Sequence, residues 1–149
     1  MKKQITLLAI IVILISCNPK KEVVQIVAAD KKIEGTWKLF YGEVKENDSV
    51  QVKDISNTDF IKIINKTHFA FFNQPKGTSE GFYGGGGTYS LEGSAYVEKL
   101  NYISVDNIRG HEFPFTIEIK GDTLIQYGLE EIKEANIKRD IIEKYIRIK

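Results

Sequence analysis

Short runs of alternating apolar and polar residues follow one another along most of this chain, and turn-forming residues separate them. In the first run, Trp37, Leu39 and Tyr41 share one face of an extended strand, while Lys38 and Phe40 share the other. An alternation with a period of two predicts half-buried β-strands. About eight to ten such strands, most of them joined by hairpins, predict an all-β domain that is either a sandwich or an up-and-down barrel.

The turn residues set the expected bounds of the strands. We expect strands near residues 36–44, 50–55, 60–64, 69–72, 88–91, 95–104, 113–120, 123–129 and 141–148. Reversals are expected at residues 46–49, 65–66, 92–94, 106–110 and 121–122, which are rich in Asn, Asp, Ser and Gly. The first and last strands are neighbours if the sheet closes into a barrel.

Two stretches interrupt the alternation. Residues 73–87 contain four consecutive glycines, Gly84 to Gly87. They are expected to form a long loop, because the backbone freedom of glycine destabilises regular secondary structure. With Phe82 and Tyr83 beside the glycines, this loop is either a mobile flap over a barrel mouth or a connection without a role. Residues 130–140 have a helix-favouring composition, which predicts a charged loop with a short helical segment before the last strand.

The N-terminus has the pattern of a secretory signal. Lys2 and Lys3 precede an apolar run over residues 5–15, and Ser16 is the small residue before a cleavage point. With Cys17 directly after Ser16, the segment resembles the signal of a bacterial lipoprotein, which implies removal of residues 1–16 and a diacylglycerol and palmitate lipid on Cys17. The alternatives are an uncut membrane anchor, for which the run has about half of the required length, and a signal followed by a cysteine by chance.

The rest of the chain is predicted to contain one domain. Residues 17–32 are expected to be a lipidated cysteine and a flexible tether, and residues 33–149 the barrel domain. Lys and Arg number 21 against 20 Asp and Glu, and loss of the two signal lysines leaves 19 against 20. This balance provides no excess of positive charge with which to bind nucleic acid. Cys17 is the only cysteine, so the domain is expected to fold without a disulfide.

Three short stretches carry a resemblance to a known family. Gly35-Thr36-Trp37 resembles the Gly-x-Trp signature of the lipocalins, and residues 34–39, 87–93 and 121–126 resemble a family of lipocalin-like bacterial lipoproteins. The resemblance implies an up-and-down antiparallel β-barrel in which Trp37 plugs one end. It also implies that a basic residue near the end of the chain, here Arg147, stacks on Trp37. The second and third lipocalin signatures are absent, so the ligands of individual lipocalins do not transfer to this chain.

A barrel of about eight strands either is filled by side chains or holds one small ligand. One face of the 95–104 strand is the predicted cavity wall, because it places a carboxylate between two phenols that can receive a ligand hydroxyl or amine; the alternative is that this face points to solvent. Four phenylalanines, Phe69, Phe71, Phe113 and Phe115, are expected to be buried as core or pocket lining. The candidate ligand-binding residues are Tyr96, Glu98, Leu100, Tyr102, Phe69, Phe71 and Phe115.

Signatures of catalysis and of metal binding are weak in this sequence. His68 and His111 have no further ligand at metal-site spacing, so no metal is expected. Gly84 to Gly87 is not followed by Lys-Ser/Thr and is not a phosphate loop. Glu98 and Glu118 could form a glycosidase pair, but two such acids can be found in any β-protein. No strand-to-helix nucleophile elbow is expected, because the Gly-Thr-Ser-Glu-Gly stretch of residues 77–81 lies within the expected long loop.

The sequence therefore predicts a lipid-anchored, lipocalin-like barrel that binds a small, partly apolar ligand without a cofactor. It is expected to be a monomer in the cell envelope. Asn18, which is not acidic, directly follows the lipidated cysteine; by resemblance to lipoproteins generally, this implies the outer membrane, with either the periplasmic or the surface face. The alternatives are a filled barrel that binds partners through its loops and, more remotely, an enzyme that uses an interior acid such as Glu98.

Overall fold

The alternating runs of the sequence form nine antiparallel strands in the computed structural model, which describes residues 33–149. The predicted signal (residues 1–16), Cys17 and the tether (residues 17–32) lie outside the described residues. The strands are β1 (Gly35–Glu46), β2 (Ser49–Val52), β3 (Thr58–Ile64), β4 (His68–Pro75), β5 (Tyr83–Glu92), β6 (Ala95–Ile103), β7 (Glu112–Lys120), β8 (Thr123–Ile132) and β9 (Ile137–Ile148).

The sheet closes on itself, which confirms the up-and-down barrel and excludes the sandwich. From β3 to β9 each strand pairs with the next in the chain, β3 also pairs with the first half of β1, and β9 pairs with β1 along most of its length. Eight strands therefore form the wall. β2 lies outside this circuit as a hairpin arm on the second half of β1.

The two ends of the barrel differ. The tight turns at residues 65–67, 93–94 and 121–122 lie at one end, together with both ends of the described chain. There the fully buried Trp37 donates a hydrogen bond from Nε1 to the carbonyl of Ile33 (2.8 Å), and the guanidinium of Arg147 lies 4.0 Å from the centre of the indole. We call this the closed end. The longer connections at residues 53–57, 76–82, 104–111 and 133–136 surround the opposite, open end.

The expected long loop over residues 73–87 is wrong. β4 continues to Pro75 and β5 begins at Tyr83, so only residues 76–82 connect them and all four glycines lie in a strand. The glycines make room for close neighbours: a Cβ at Gly85 would lie 3.0 Å from Cζ of Phe71. The glycine run therefore reflects close packing, against an aromatic ring at Gly85 and against backbone carbonyl oxygens at the other three glycines. Composition alone does not distinguish such packing from flexibility.

The expected helical segment in residues 130–140 is present only as one short turn. Only Lys133–Ala135 forms a single 3₁₀ turn, while the residues before and after it extend β8 and β9. The charged residues pair across the two strands instead of along a helix: Arg139 Nε lies 2.6 Å from Glu130 Oε2, and Lys138 Nζ lies 3.4 Å from Glu131 Oε1. Cross-strand pairing thus overrides the local helix propensity.

A bulge in β1 changes which residues face the interior. Leu39 pairs with Tyr145 and Tyr41 with Lys144, so β1 has one extra residue at this point. The alternation inverts after the bulge, and Tyr41 lies outside, where its hydroxyl donates a hydrogen bond to Glu43. The placement of Tyr41 on the face of Trp37 and Leu39 was therefore wrong. Gly42 is the buried residue in its place.

Candidate functional site

The barrel contains a cavity of about 350 Å³ that faces the open end. Apolar side chains from five strands form its walls: Phe60, Phe71, Leu100, Phe113, Phe115 and Ile132. Tyr83 and Val105 are at the mouth, and each is about half exposed (52% and 47%). The volume falls in the range of about 300–1,000 Å³ that small-molecule pockets occupy.

A buried lysine organises the floor of the cavity. Lys62, on β3, is only 2% exposed, and its Nζ donates hydrogen bonds to Oε1 of Glu98 and to Oε1 of Gln126, each at 2.8 Å. Its ammonium also lies 5.3 Å from the ring centre of Tyr145. Strands β3, β6 and β8 bring Lys62, Glu98 and Gln126 together across the barrel interior. The hydrogen bonds among them offset the free-energy cost of burying these polar groups.

A second ion pair lies beside the first. Lys53 Nζ is 2.7 Å from Oε1 of Glu143, and Tyr145 donates a hydrogen bond to the other carboxylate oxygen at 2.5 Å. Lys53 reaches Glu143 by passing over Gly42, where a Cβ would lie 2.7 Å from Cδ of the lysine. The β1 bulge, which turns Gly42 inward, therefore makes this ion pair possible.

The ionisation of the floor follows from these contacts. Burial by itself raises the pKa of Glu143, but the charges of Lys53 and Lys62, and the hydrogen bonds from Lys53 and Tyr145, outweigh it and leave that pKa below its ordinary value. Burial, followed by the charge of Glu143, raises the pKa of Tyr145 well above its ordinary value. At neutral pH the carboxylate is therefore ionised and the phenol protonated.

A buried phenol lies beside the floor. The hydroxyl of Tyr96 is fully buried and close to Glu98. Burial, and then the charge and hydrogen-bonding interaction of Glu98, raise the pKa of Tyr96 well above its ordinary value, so it is a neutral phenol.

The seven candidate ligand-binding residues occupy three different positions relative to the cavity. Glu98, Leu100, Phe71 and Phe115 line the cavity. Tyr96 and Phe69 are fully buried but lie outside the lining. Tyr102 is 66% exposed on the outer surface, so its placement on the inward face was wrong.

A bulge in β6 explains the position of Tyr102. Gly86 pairs with Tyr102 and Thr88 with Lys99, so β6 has one residue more than β5 between these pairs. The extra residue inverts the alternation, and Ile103 rather than Tyr102 lines the cavity. Gly87 permits the bulge, because a Cβ there would lie 1.8 Å from the carbonyl oxygen of Lys99.

Sequence reasoning missed three polar residues of the floor, Lys62, Gln126 and Glu143, as well as Lys53. A signal for the first three is present in the sequence. Each lies two residues from apolar neighbours on the same strand face, as Lys62 does between Phe60 and Ile64. The same pattern had singled out Glu98. Lys53 lies beyond the end of β2 and carries no such signal.

The remaining chemical candidates do not form sites. Glu118 lies on the outer surface, where it contacts Lys120 and Tyr127, so it does not pair with Glu98 across the cavity. His111 Nε2 contacts the carbonyl of Glu131, and His68 Nδ1 contacts Thr67. Among residues 33–149, no three His, Cys, Asp or Glu side chains are grouped in a way that could hold a metal ion.

The suggested flap residues differ in position. Tyr83 is the first residue of β5, lines the mouth, and packs edge-on against Phe60 and Phe71 with ring centres 6.5 Å apart. Phe82, in the connection before it, is 55% exposed. Only one of the two aromatic residues therefore belongs to the cavity.

No protein-family model, curated protein or solved structure matched this chain in three separate comparisons. The described part of the chain also contains no helix of the length and hydrophobicity needed to cross a bilayer.

Proposed function

We propose that this protein is a carrier or receptor for a small, partly apolar molecule that binds inside the barrel. The observation that carries the proposal is the cavity itself: aromatic and aliphatic walls, a hydrogen-bonding floor and a mouth at the open end. This combination is typical of ligand pockets, in which apolar walls supply affinity and a few polar groups fix orientation. The cavity favours this function over a filled barrel that acts only through its loops.

The lipocalin resemblance supports the same proposal. In that family, the tryptophan of the Gly-x-Trp signature plugs one end of the barrel, and a basic residue near the end of the barrel stacks on it. Here Gly35, Trp37 and Arg147 lie together at the closed end, with the mouth at the other. We propose that the chain is a lipocalin-like protein, anchored in the cell envelope by a lipid on Cys17, and a monomer.

Native mass spectrometry tests ligand binding directly. Residues 18–149, which include the whole described barrel, are purified from a bacterial host and offered a lipid and metabolite extract. We expect a bound small molecule that is lost on denaturation. A protein that stays free of ligand, and that also fails to bind the uncharged dye N-phenylnaphthylamine, would contradict the proposal.

A matched pair of variants locates the site. Leu100 lines the cavity, while Tyr102, two residues further along β6, is on the outer surface. L100W should fill the cavity and abolish binding, whereas Y102W should bind as the wild type does. Undiminished binding by L100W, or an equal loss of binding in Y102W, would contradict a site inside the barrel.

A further inference from the structure

We propose that the ligand is an uncharged amphipathic molecule, with a hydroxyl, carbonyl or amide group at the cavity floor and an apolar body along the aromatic walls. This inference rests on the proposed function and specifies the chemistry of its ligand. It follows from the way in which the charges of the cavity are paired.

Every charged side chain that lines the cavity has a partner of opposite sign that also lines it. Lys62 pairs with Glu98 (2.8 Å), Lys53 with Glu143 (2.7 Å), and Arg139 with Glu130 (2.6 Å). Three cations thus face three carboxylates, and the lining has no net charge. Within the described residues, no cation of the lining is left to receive an acid and no carboxylate is left to receive an amine.

A charged ligand would therefore bind at a disadvantage. A carboxylate or ammonium group that enters the floor loses its hydration and meets charges that are already compensated. Attraction to one member of each pair is opposed by repulsion from the other, and a counter-ion without a partner becomes available only if a pair is separated. The separated partner would then be a buried charge without compensation, as would happen to Glu98 if a ligand amine displaced Lys62. This cost opposes the binding of both fatty acids and amines.

An uncharged polar group has suitable partners at the floor. Gln126 accepts the hydrogen bond of Lys62 through Oε1, which leaves its NH₂ group as a donor to a ligand carbonyl or hydroxyl. Each carboxylate of the floor has two oxygens and can accept a hydrogen bond from a ligand hydroxyl without losing its lysine. The walls beside these groups are aromatic, so a single apolar chain or ring can extend from floor to mouth.

Displacement of N-phenylnaphthylamine by three matched probes tests the inference. Decanol, decanoic acid and decylamine share one alkyl chain and differ in the head group, and at neutral pH the second is an anion and the third a cation. We expect decanol to displace the dye at a concentration about tenfold or more below that of either charged probe. Stronger or equal displacement by decanoic acid or decylamine, or displacement by none of the three, would overturn the inference while dye binding leaves the proposed function standing.

A charge-changing variant provides a gain-of-function test. E98Q removes the carboxylate that neutralises Lys62 and should shift the preference from decanol toward decanoic acid, because the floor then has a surplus positive charge. E112Q makes the same change of net charge in the exposed pair between Glu112 and Lys99 and should keep the preference for decanol. If E98Q fails to fold, the wild-type series decides; if it folds and still disfavours decanoic acid as the wild type does, the inference is overturned.

Discussion

Lys62 shows how a single residue links stability to the binding site. It is a lysine with almost no contact with water, and burial of an ammonium group is unfavourable unless its charge and its hydrogen bonds are satisfied. Glu98 compensates the charge and Gln126 takes a further hydrogen bond. The groups that hold the floor in place are therefore also the groups that decide what it can bind.

Replacing this lysine should destabilise the fold. K62M leaves Glu98 buried without its counter-ion, and we expect the free energy of unfolding to fall by roughly 3 kcal/mol. K99M, which breaks the exposed pair with Glu112, should change it by less than about 1 kcal/mol. Urea denaturation can be followed by the fluorescence of Trp37, the only tryptophan. Similar losses in both variants would contradict the assigned burial of Lys62.

Glu143 should contribute to the loss of folding stability at acidic pH. Because its pKa is lowered in the folded state, its stabilising contribution is present above the ordinary glutamate pKa of about 4.3 and is lost as the pH falls through the lower, folded value. We expect E143Q to be less stable at neutral pH and to lose less further stability on acidification. Urea denaturation over a pH series measures both effects.

The wild type and an exposed control, E112Q, should share the steeper decline in stability at acidic pH. Parallel pH profiles for E143Q and the wild type would show that Glu143 gains nothing from Lys53 in the folded state.

At the scale of elements, alternation and turn residues were sufficient to predict most strands and their hairpins. The two bulges were not predictable, because each depends on the register with a neighbouring strand rather than on local sequence. They decide which side chains enter the cavity: Tyr41 and Tyr102 lie outside, and Gly42 and Ile103 face inward. A pattern of period two predicts the faces of a strand only up to its first bulge.

The ion pairs across the barrel interior could not be predicted from the sequence for a related reason. Lys62 and Glu98 are visible as polar residues between apolar ones, but they are 36 residues apart and on strands that do not pair with each other. Which interior charges meet depends on the diameter and closure of the wall. The expectation for the glycine run was wrong because flexibility and close packing, here against the ring of Phe71 and against backbone carbonyl oxygens, predict the same composition.

The β6 bulge should depend strongly on Gly87. G87A places a methyl group against the carbonyl of Lys99, and we expect a loss of about 3 kcal/mol or more in the free energy of unfolding. Gly77 provides a control, because it has a φ of +74° but open space around it. G77N should cost less than about 1 kcal/mol, since asparagine tolerates this conformation. Equal stability of the two variants would show that β6 can adopt another register.

At the scale of the whole molecule, the closed end holds both ends of the described chain. Thr36 pairs with Ile148, so residues 33 and 149 lie near each other. A circular permutant that joins them by a short Gly-Ser linker and opens the chain between Gly93 and Ser94 should fold with a loss of no more than about 2 kcal/mol. A permutant opened between Gly86 and Gly87 interrupts β5 and should not fold. Circular dichroism and thermal melting distinguish the two results.

The pairing of β1 with β9 also bears on the order in which the site is assembled during folding. Lys62, Glu98 and Gln126 belong to strands made earlier, whereas Glu143 and Tyr145 arrive with the last strand, as does the Arg147 that covers Trp37. A chain still being synthesised has an unpaired edge on β1 and an incomplete floor, and such long-range closure is slow. A ligand that requires the finished floor therefore recognises only the completed barrel, and it would stabilise that state against reopening.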